Sequence, residues 1–270
     1  MNRIGECLAR LKLENRKALV TYIVNGDPQP DITLNAMHTL VASGADIIEL
    51  GVPFSDPMAE GPTIQRAHER ALRHHTSLKQ TFDVVGQFRL KDIQTPVVLM
   101  GYANPIERMG YKSCAEQASA AGVDGLLTVD YPPEESLKLN EDLKLKGIET
   151  IFLLAPTTTN QRIAKVAALA SGFLYYVSLK GVTGAGHLDV DSVSERLQVI
   201  RSFTHLPVLV GFGIKDAASA SSIGGLADGV VVGSVLVDAM GEDQTLTADQ
   251  ILGKLHAIVA PMRAALDALV

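Results

Sequence analysis

Cysteine is scarce in this chain of 270 residues: there are two, Cys7 and Cys114, far apart and in no CxxC arrangement. That argues against a disulfide framework and fits two buried or semi-buried thiols in a reducing compartment. No cluster of lysine and arginine is dense enough to attract nucleic acid or anionic lipid, and a formal net charge of −6 is ordinary for a soluble protein. No apolar run approaches the roughly 18–20 residues that a bilayer-crossing helix needs. The N-terminus, MNRIGECLARLKLENRK, lacks the apolar core of a signal peptide; Ile4, Cys7, Leu8 and Leu11 recur there at helical spacing instead. The expectation is a cytoplasmic protein.

Catalytic signatures of several classes are also missing. There is no HExxH, no GxSxG and no P-loop, so zinc-protease, serine-hydrolase and NTPase chemistry have no support. The seven histidines give no metal pattern: His74 and His75 are adjacent, and His38, His68, His187, His205 and His256 lack partners at ligand spacing. No metal site is expected.

What the chain does have is apolar residues, 47% of the total, gathered into eight short and nearly continuous runs. They are ALVTYIV from Ala18, DIIELGV from Asp46, PVVLMGY from Pro96, DGLLTV from Asp124, ETIFLLA from Glu149, FLYYVSL from Phe173, PVLVGFG from Pro207 and DGVVVGS from Asp228. Continuous rather than alternating hydrophobicity is what strands covered on both faces require, which points to a parallel sheet. Between the runs lie segments of helical period, among them ITLNAMHTLVAS, SCAEQASAAG, ESLKLNEDLKLKG, NQRIAKVAALASG and VSERLQVIRSF. Several stop on glycine, as at Gly122, Gly147 and Gly172.

Strand starts recur every 21 to 34 residues except for a gap of 50 between the second and third, which has room for an extra helix. Eight β–α units without a linker or compositional break predict one (β/α)8 TIM barrel over residues 1–270, with added N-terminal and loop helices. The alternative is a doubly wound open sheet, whose GxGxxG fingerprint after the first strand is absent.

Barrel active sites lie at the C-terminal ends of the strands. The second strand ends in ELGVPFSDPMAEGPTIQ, and its Glu49 is a carboxylate inside an apolar run, costly to bury unless paired or functional. Burial should raise its pKa toward neutrality, suiting a group that both accepts and donates protons. The plain structural reading is a carboxylate hydrogen-bonded to backbone. The loop that follows, PFSDPMAEGP, favours the functional one. It carries three prolines, a glycine and two more acids, Asp56 and Glu60, and exceeds the usual connector of about 2–6 residues.

Glycines mark three later strand ends: KGVTGAG from Lys180, GFGI from Gly211, and Gly233-Ser234 opening a helix. Backbone N–H groups at glycines and a helix N-terminus suit an anion, and barrels commonly hold phosphate after strands 7 and 8. Tyr22, Met100, Tyr102, Leu127, Tyr175 and Phe212 fall at strand ends too, where barrel packing is the default and a flat apolar pocket the alternative.

GADIIELGVPFSDPMAEGPTIQ, YANPI, SLKGVTGAG and GFGI resemble the signature segments of the tryptophan synthase α subunit family, in order along nearly the whole chain. The resemblance implies a lyase that cleaves indole-3-glycerol phosphate to indole and glyceraldehyde 3-phosphate. It implies no cofactor in this chain and an αββα complex whose β subunit uses pyridoxal phosphate to join indole to serine. It assigns acid–base catalysis to Glu49 and the second carboxylate to Glu60, where the family more often has aspartate. It assigns phosphate binding to Gly184, Gly213, Gly233 and Ser234, and the indole pocket to Tyr22, Met100, Leu127, Tyr175 and Phe212. Tyr22 stands where phenylalanine is more frequent. Thr183 would close a loop over substrate, and Pro53, Asp56 and Asn104 would face the β subunit. Rival readings are a non-catalytic barrel that only activates its partner, a stand-alone indole-releasing lyase, and another phosphosugar isomerase. The last leaves the GVPFSDP loop unexplained.

Overall fold

Each of the eight apolar runs forms a strand. In the computed structural model, which describes residues 2–178, 190–211 and 213–269, the strands are β1 (Ala18–Val24), β2 (Ile47–Gly51), β3 (Val97–Gly101), β4 (Gly125–Thr128), β5 (Glu149–Leu154), β6 (Leu174–Val177), β7 (Val208–Gly211) and β8 (Gly229–Val232). They pair in parallel in chain order, and β8 closes on β1 with Ala18 opposite Gly229. The fold is the (β/α)8 barrel expected from the continuous hydrophobicity. The gap of 50 residues holds two helices, α3 (Pro62–Arg73) and α4 (Leu78–Arg89).

Alternation along each strand sorts side chains into two cores. Outward residues such as Leu19, Ile48, Leu99 and Val210 pack under the surrounding helices. Inward residues, among them Val20, Ile47, Val98, Leu127, Ile151 and Leu209, fill the barrel's lower half. There they meet Ile4, Leu8 and Leu11 of α1 (Arg3–Leu13), an amphipathic helix that plugs the N-terminal end. Burying each such side chain is worth roughly 1.5–3 kcal/mol, so the plugged end is the stable end. The upper half of the barrel is left for a cavity.

A recurring carboxylate ties strand entries together. Asp46, before β2, accepts the Leu19 N–H at 2.9 Å. Asp124, before β4, accepts that of Val97 at 2.9 Å, and Asp228, before β8, that of Val208 at 2.8 Å. Before β6 a hydroxyl does the same, Ser171 Oγ taking the Thr150 N–H at 2.9 Å. The acid preceding an even strand thus receives the first free amide of the preceding odd strand. Gly122 ends α6 (Tyr111–Ala121) in the left-handed region at φ 84°, as its place after a helical segment predicts.

Candidate active site

At the C-terminal mouth of the barrel lies a cavity of about 360 Å³. Glu49 reaches it from β2, where it sits in register between Tyr22 of β1 and Val98 of β3. Its period-2 position points it inward, above Ile47, and it is 2% exposed. Its Oε2 is buried without a hydrogen-bond partner among the described residues. A carboxylate so placed is far cheaper to keep protonated than charged. Burial first, and the charge of Glu60 second, push its pKa up to about 8. Glu60, from the loop after β2, lines the same cavity, and enclosure there raises its pKa to about 7. Two tyrosines complete the surroundings. The pKa of Tyr22 is raised by burial and then by Glu60 and Glu49; that of Tyr175 by burial and then by Glu49 and Glu60. Each phenol oxygen lies over a glycine of the next strand. A Cβ at Gly51 would sit 2.4 Å from the Tyr22 hydroxyl, and one at Gly211 the same distance from that of Tyr175.

The opposite wall is made of backbone. Gly213, at φ 76°, follows β7, and Gly233 and Ser234 open α11 (Ser234–Gly241). No side chain caps that helix, and Gly233, Ser234 and Val235 at its start line the cavity, so its uncapped first turn suits an anion. Lys215, also in the wall, adds a cation.

Of the residues singled out in the sequence, Tyr22, Glu49, Glu60, Met100, Tyr175, Gly213, Gly233 and Ser234 meet at this one cavity. Leu127 does not line it. It is fully buried among the inward side chains, and Val129, two residues on along the same face, is the wall residue. Thr183, Gly184 and Phe212 lie outside the described residues. Asp56 is exposed on the loop after β2 and Asn104 in the first turn of the short helix after β3, whereas Pro53 is buried. Sequence reading passed over Val129, Leu153 and Lys215. Counting two residues along the inward face would have found the first, and a cation beside GFGI was a usable sign of the last. Both cysteines are free and buried, and the described residues contain no cluster able to hold a metal. No helix among them is long and apolar enough to cross a membrane.

A second cavity of about 360 Å³ opens at the other end of the barrel, between α1 and the entry to β7, with Lys12, Arg16 and Lys17 in its wall. Its one carboxylate, Asp228, already holds the Val208 amide. The strand-end side chains converge instead at the C-terminal mouth, the end at which barrel enzymes place their chemistry.

Fold and cavity together define a barrel enzyme equipped for acid–base chemistry on a small molecule. The family model described as tryptophan synthase alpha chain matches residues 8–267. Tryptophan synthase alpha chains of Nitrosococcus oceani and Thioalkalivibrio sulfidiphilus are 57% and 56% identical, each over 99% of this chain and 98% and 100% of theirs. The crystal structure of tryptophan synthase subunit alpha from Legionella pneumophila superposes with a TM-score of 0.92 at 43% identity, covering 99% of both chains. A tryptophan synthase structure from Mycobacterium tuberculosis superposes with a TM-score of 0.88 at 36% identity, covering 98% of both chains. The chain belongs to the tryptophan synthase alpha chain family.

Proposed function

We propose that this chain cleaves indole-3-glycerol phosphate to indole and glyceraldehyde 3-phosphate, and that it hands indole to a β subunit for condensation with serine. The observation that carries the reading is Glu49: buried, its Oε2 without a hydrogen-bond partner among the described residues, and coupled to a second carboxylate in the same cavity.

The reaction breaks the bond between indole C3 and the adjacent carbinol carbon. It needs a proton delivered to C3 and one removed from that carbinol hydroxyl. With a pKa near 8, Glu49 is mostly protonated at neutral pH, so it can give its proton to C3. The carboxylate left behind then takes the hydroxyl proton as the C–C bond breaks and the aldehyde forms. Glu49 ends in the state in which it began, and no proton is gained or lost overall. Protonation at C3 places positive charge on the ring nitrogen. An ionised Glu60 stabilises that charge most in the intermediate, where it counts toward rate. Gly213, Gly233, Ser234 and the Lys215 ammonium suit the substrate phosphate, with Gly184 completing the set. Tyr22, Met100, Tyr175, Val129 and Leu153 suit the flat ring, together with Phe212. Leu127 supports this wall from below. Thr183 would close over the substrate, as the family resemblance implies.

Asp56 and Asn104 form the proposed β-subunit face, joined by Met58, which leaves 82% of its surface exposed. Pro53 acts from beneath it by stiffening the loop. The αββα stoichiometry, a cytoplasmic location, a single domain over 1–270 and pyridoxal phosphate carried by the partner alone belong to the same reading.

The test is indole release from indole-3-glycerol phosphate by the full chain, with and without a cognate β subunit. Slow turnover alone and faster turnover with the partner are expected, and loss of at least about a thousandfold in Glu49→Gln. Zero turnover in both conditions would leave only an activating subunit; full speed alone would make the chain a free-standing lyase.

A further inference from the structure

The loop that carries Glu60 is gripped by the helix that follows it, and the grip has an unusual member. His68 lies on α3, 2% exposed, and its Nδ1 accepts the backbone N–H of Phe54 at 3.0 Å. Because the Phe54 amide can only donate, Nδ1 must be unprotonated and the ring proton must sit on Nε2. That Nε2 is buried and has no partner among the described residues. An unpaired buried N–H is costly, so the imidazole is held here at a penalty for the acceptor on its other side. Burial pushes its pKa down to about 4, which keeps that acceptor available throughout the neutral range.

The acceptor reaches the N-terminal limb of the loop. One helical turn earlier on the same face of α3, Gln65 Nε2 donates to the Glu60 carbonyl at 2.8 Å. Between these two points the Phe54 ring stacks on Tyr102, with centroids 4.9 Å apart, and the Tyr102 hydroxyl accepts the Ala59 N–H at 3.3 Å. Phe54 is therefore linked through Tyr102 to the residue next to Glu60.

We propose that His68 is a positioning residue for the acid–base pair: by holding the Phe54 amide it fixes the loop so that the Glu60 carboxylate faces the cavity opposite Glu49. The proposal rests on the reading of Glu60 given above. Without the acceptor, the Phe54 amide must find water, the stack on Tyr102 loosens, and Glu60 drifts from its place. A displaced catalytic group slows the chemical step more than it weakens substrate binding, because most of the binding contacts lie elsewhere in the cavity.

The experiment compares His68→Leu, which keeps bulk without an acceptor, with His68→Asn, whose Oδ1 stands where Nδ1 was. Two quantities are measured on the full chain: indole release from indole-3-glycerol phosphate, and hydrogen exchange at the Phe54 amide without substrate. The leucine variant should lose about 10- to 100-fold in kcat with KM changed by less than about threefold, and its Phe54 amide should exchange freely. The asparagine variant should retain both kcat and amide protection. A protected Phe54 amide in His68→Leu, or equal losses in both variants, would overturn the proposal. Glu60→Gln separates it from the reading beneath it. Undiminished turnover in that variant removes the role of Glu60, whereas the exchange result tests the grip of His68 by itself.

Discussion

Glu49 and Glu60 are both pushed toward neutrality, but the proposed mechanism asks opposite things of them. Glu60 must lose its proton to face a cationic ring nitrogen, so kcat/KM should rise as pH climbs through about 7. Glu49 must keep its proton to deliver it, so kcat/KM should fall as pH passes about 8. A narrow bell is the expected profile, and its two limbs belong to the pair because the groups are coupled. In Glu60→Gln the acid limb should vanish and turnover drop by at least about tenfold. The alkaline limb should also move to lower pH, since the neighbouring charge that helps raise Glu49 has gone. A pH–rate series on the two proteins checks all three; an alkaline limb that stays in place would sever the proposed coupling.

The elements owe their arrangement to features at both strand ends, and these are separate in kind. At the entries, Asp46, Asp124 and Asp228 are structural. Asp124 shows this most fully, since it holds the Val97 amide and two guanidinium groups, Arg89 at 2.7 Å and Arg3 at 2.9 Å. Asp124→Ala would leave Arg89, 10% exposed, without its carboxylate. Breaking a buried pair from one side costs about 3–5 kcal/mol. Denaturant unfolding should register a loss of that size, while kcat of the folded fraction stays unchanged because the site is at the far end. At the exits, glycines take the place of carboxylates. Gly51 and Gly211 leave the room that the Tyr22 and Tyr175 hydroxyls occupy.

The barrel as a body has a stable end and a working end. The plug formed by α1 and the lower layer of inward side chains anchor one; the long loop after β2 and the exposed Met58, Asp56 and Asn104 lie at the other. If that face receives the β subunit, Asp56→Lys should reduce stimulation by the partner by about tenfold and leave turnover of the isolated chain unchanged. Titrating the partner into both proteins checks this, and equal stimulation would move the interface elsewhere.

All eight strands were legible in the residues, because a strand buried on both faces must be apolar throughout and such runs are short and conspicuous. Glu49 was legible for the related reason that a carboxylate stands out in such a run. The helices that carry little periodic pattern, such as α5 (Ala103–Met109), passed unnoticed. Depth was also hidden. Leu127 and Val129 share a face and a chemistry, and only closure of the barrel makes one of them core and the other wall. The meeting of His68 with Phe54 was hidden likewise, since a side chain that bonds to backbone leaves no pairing of residue types to read. Periodicity and the cost of burying charge are local, so the chain declares them along its length. Which polar atoms then find one another depends on where the loops come to rest, and that is settled only when the barrel is packed.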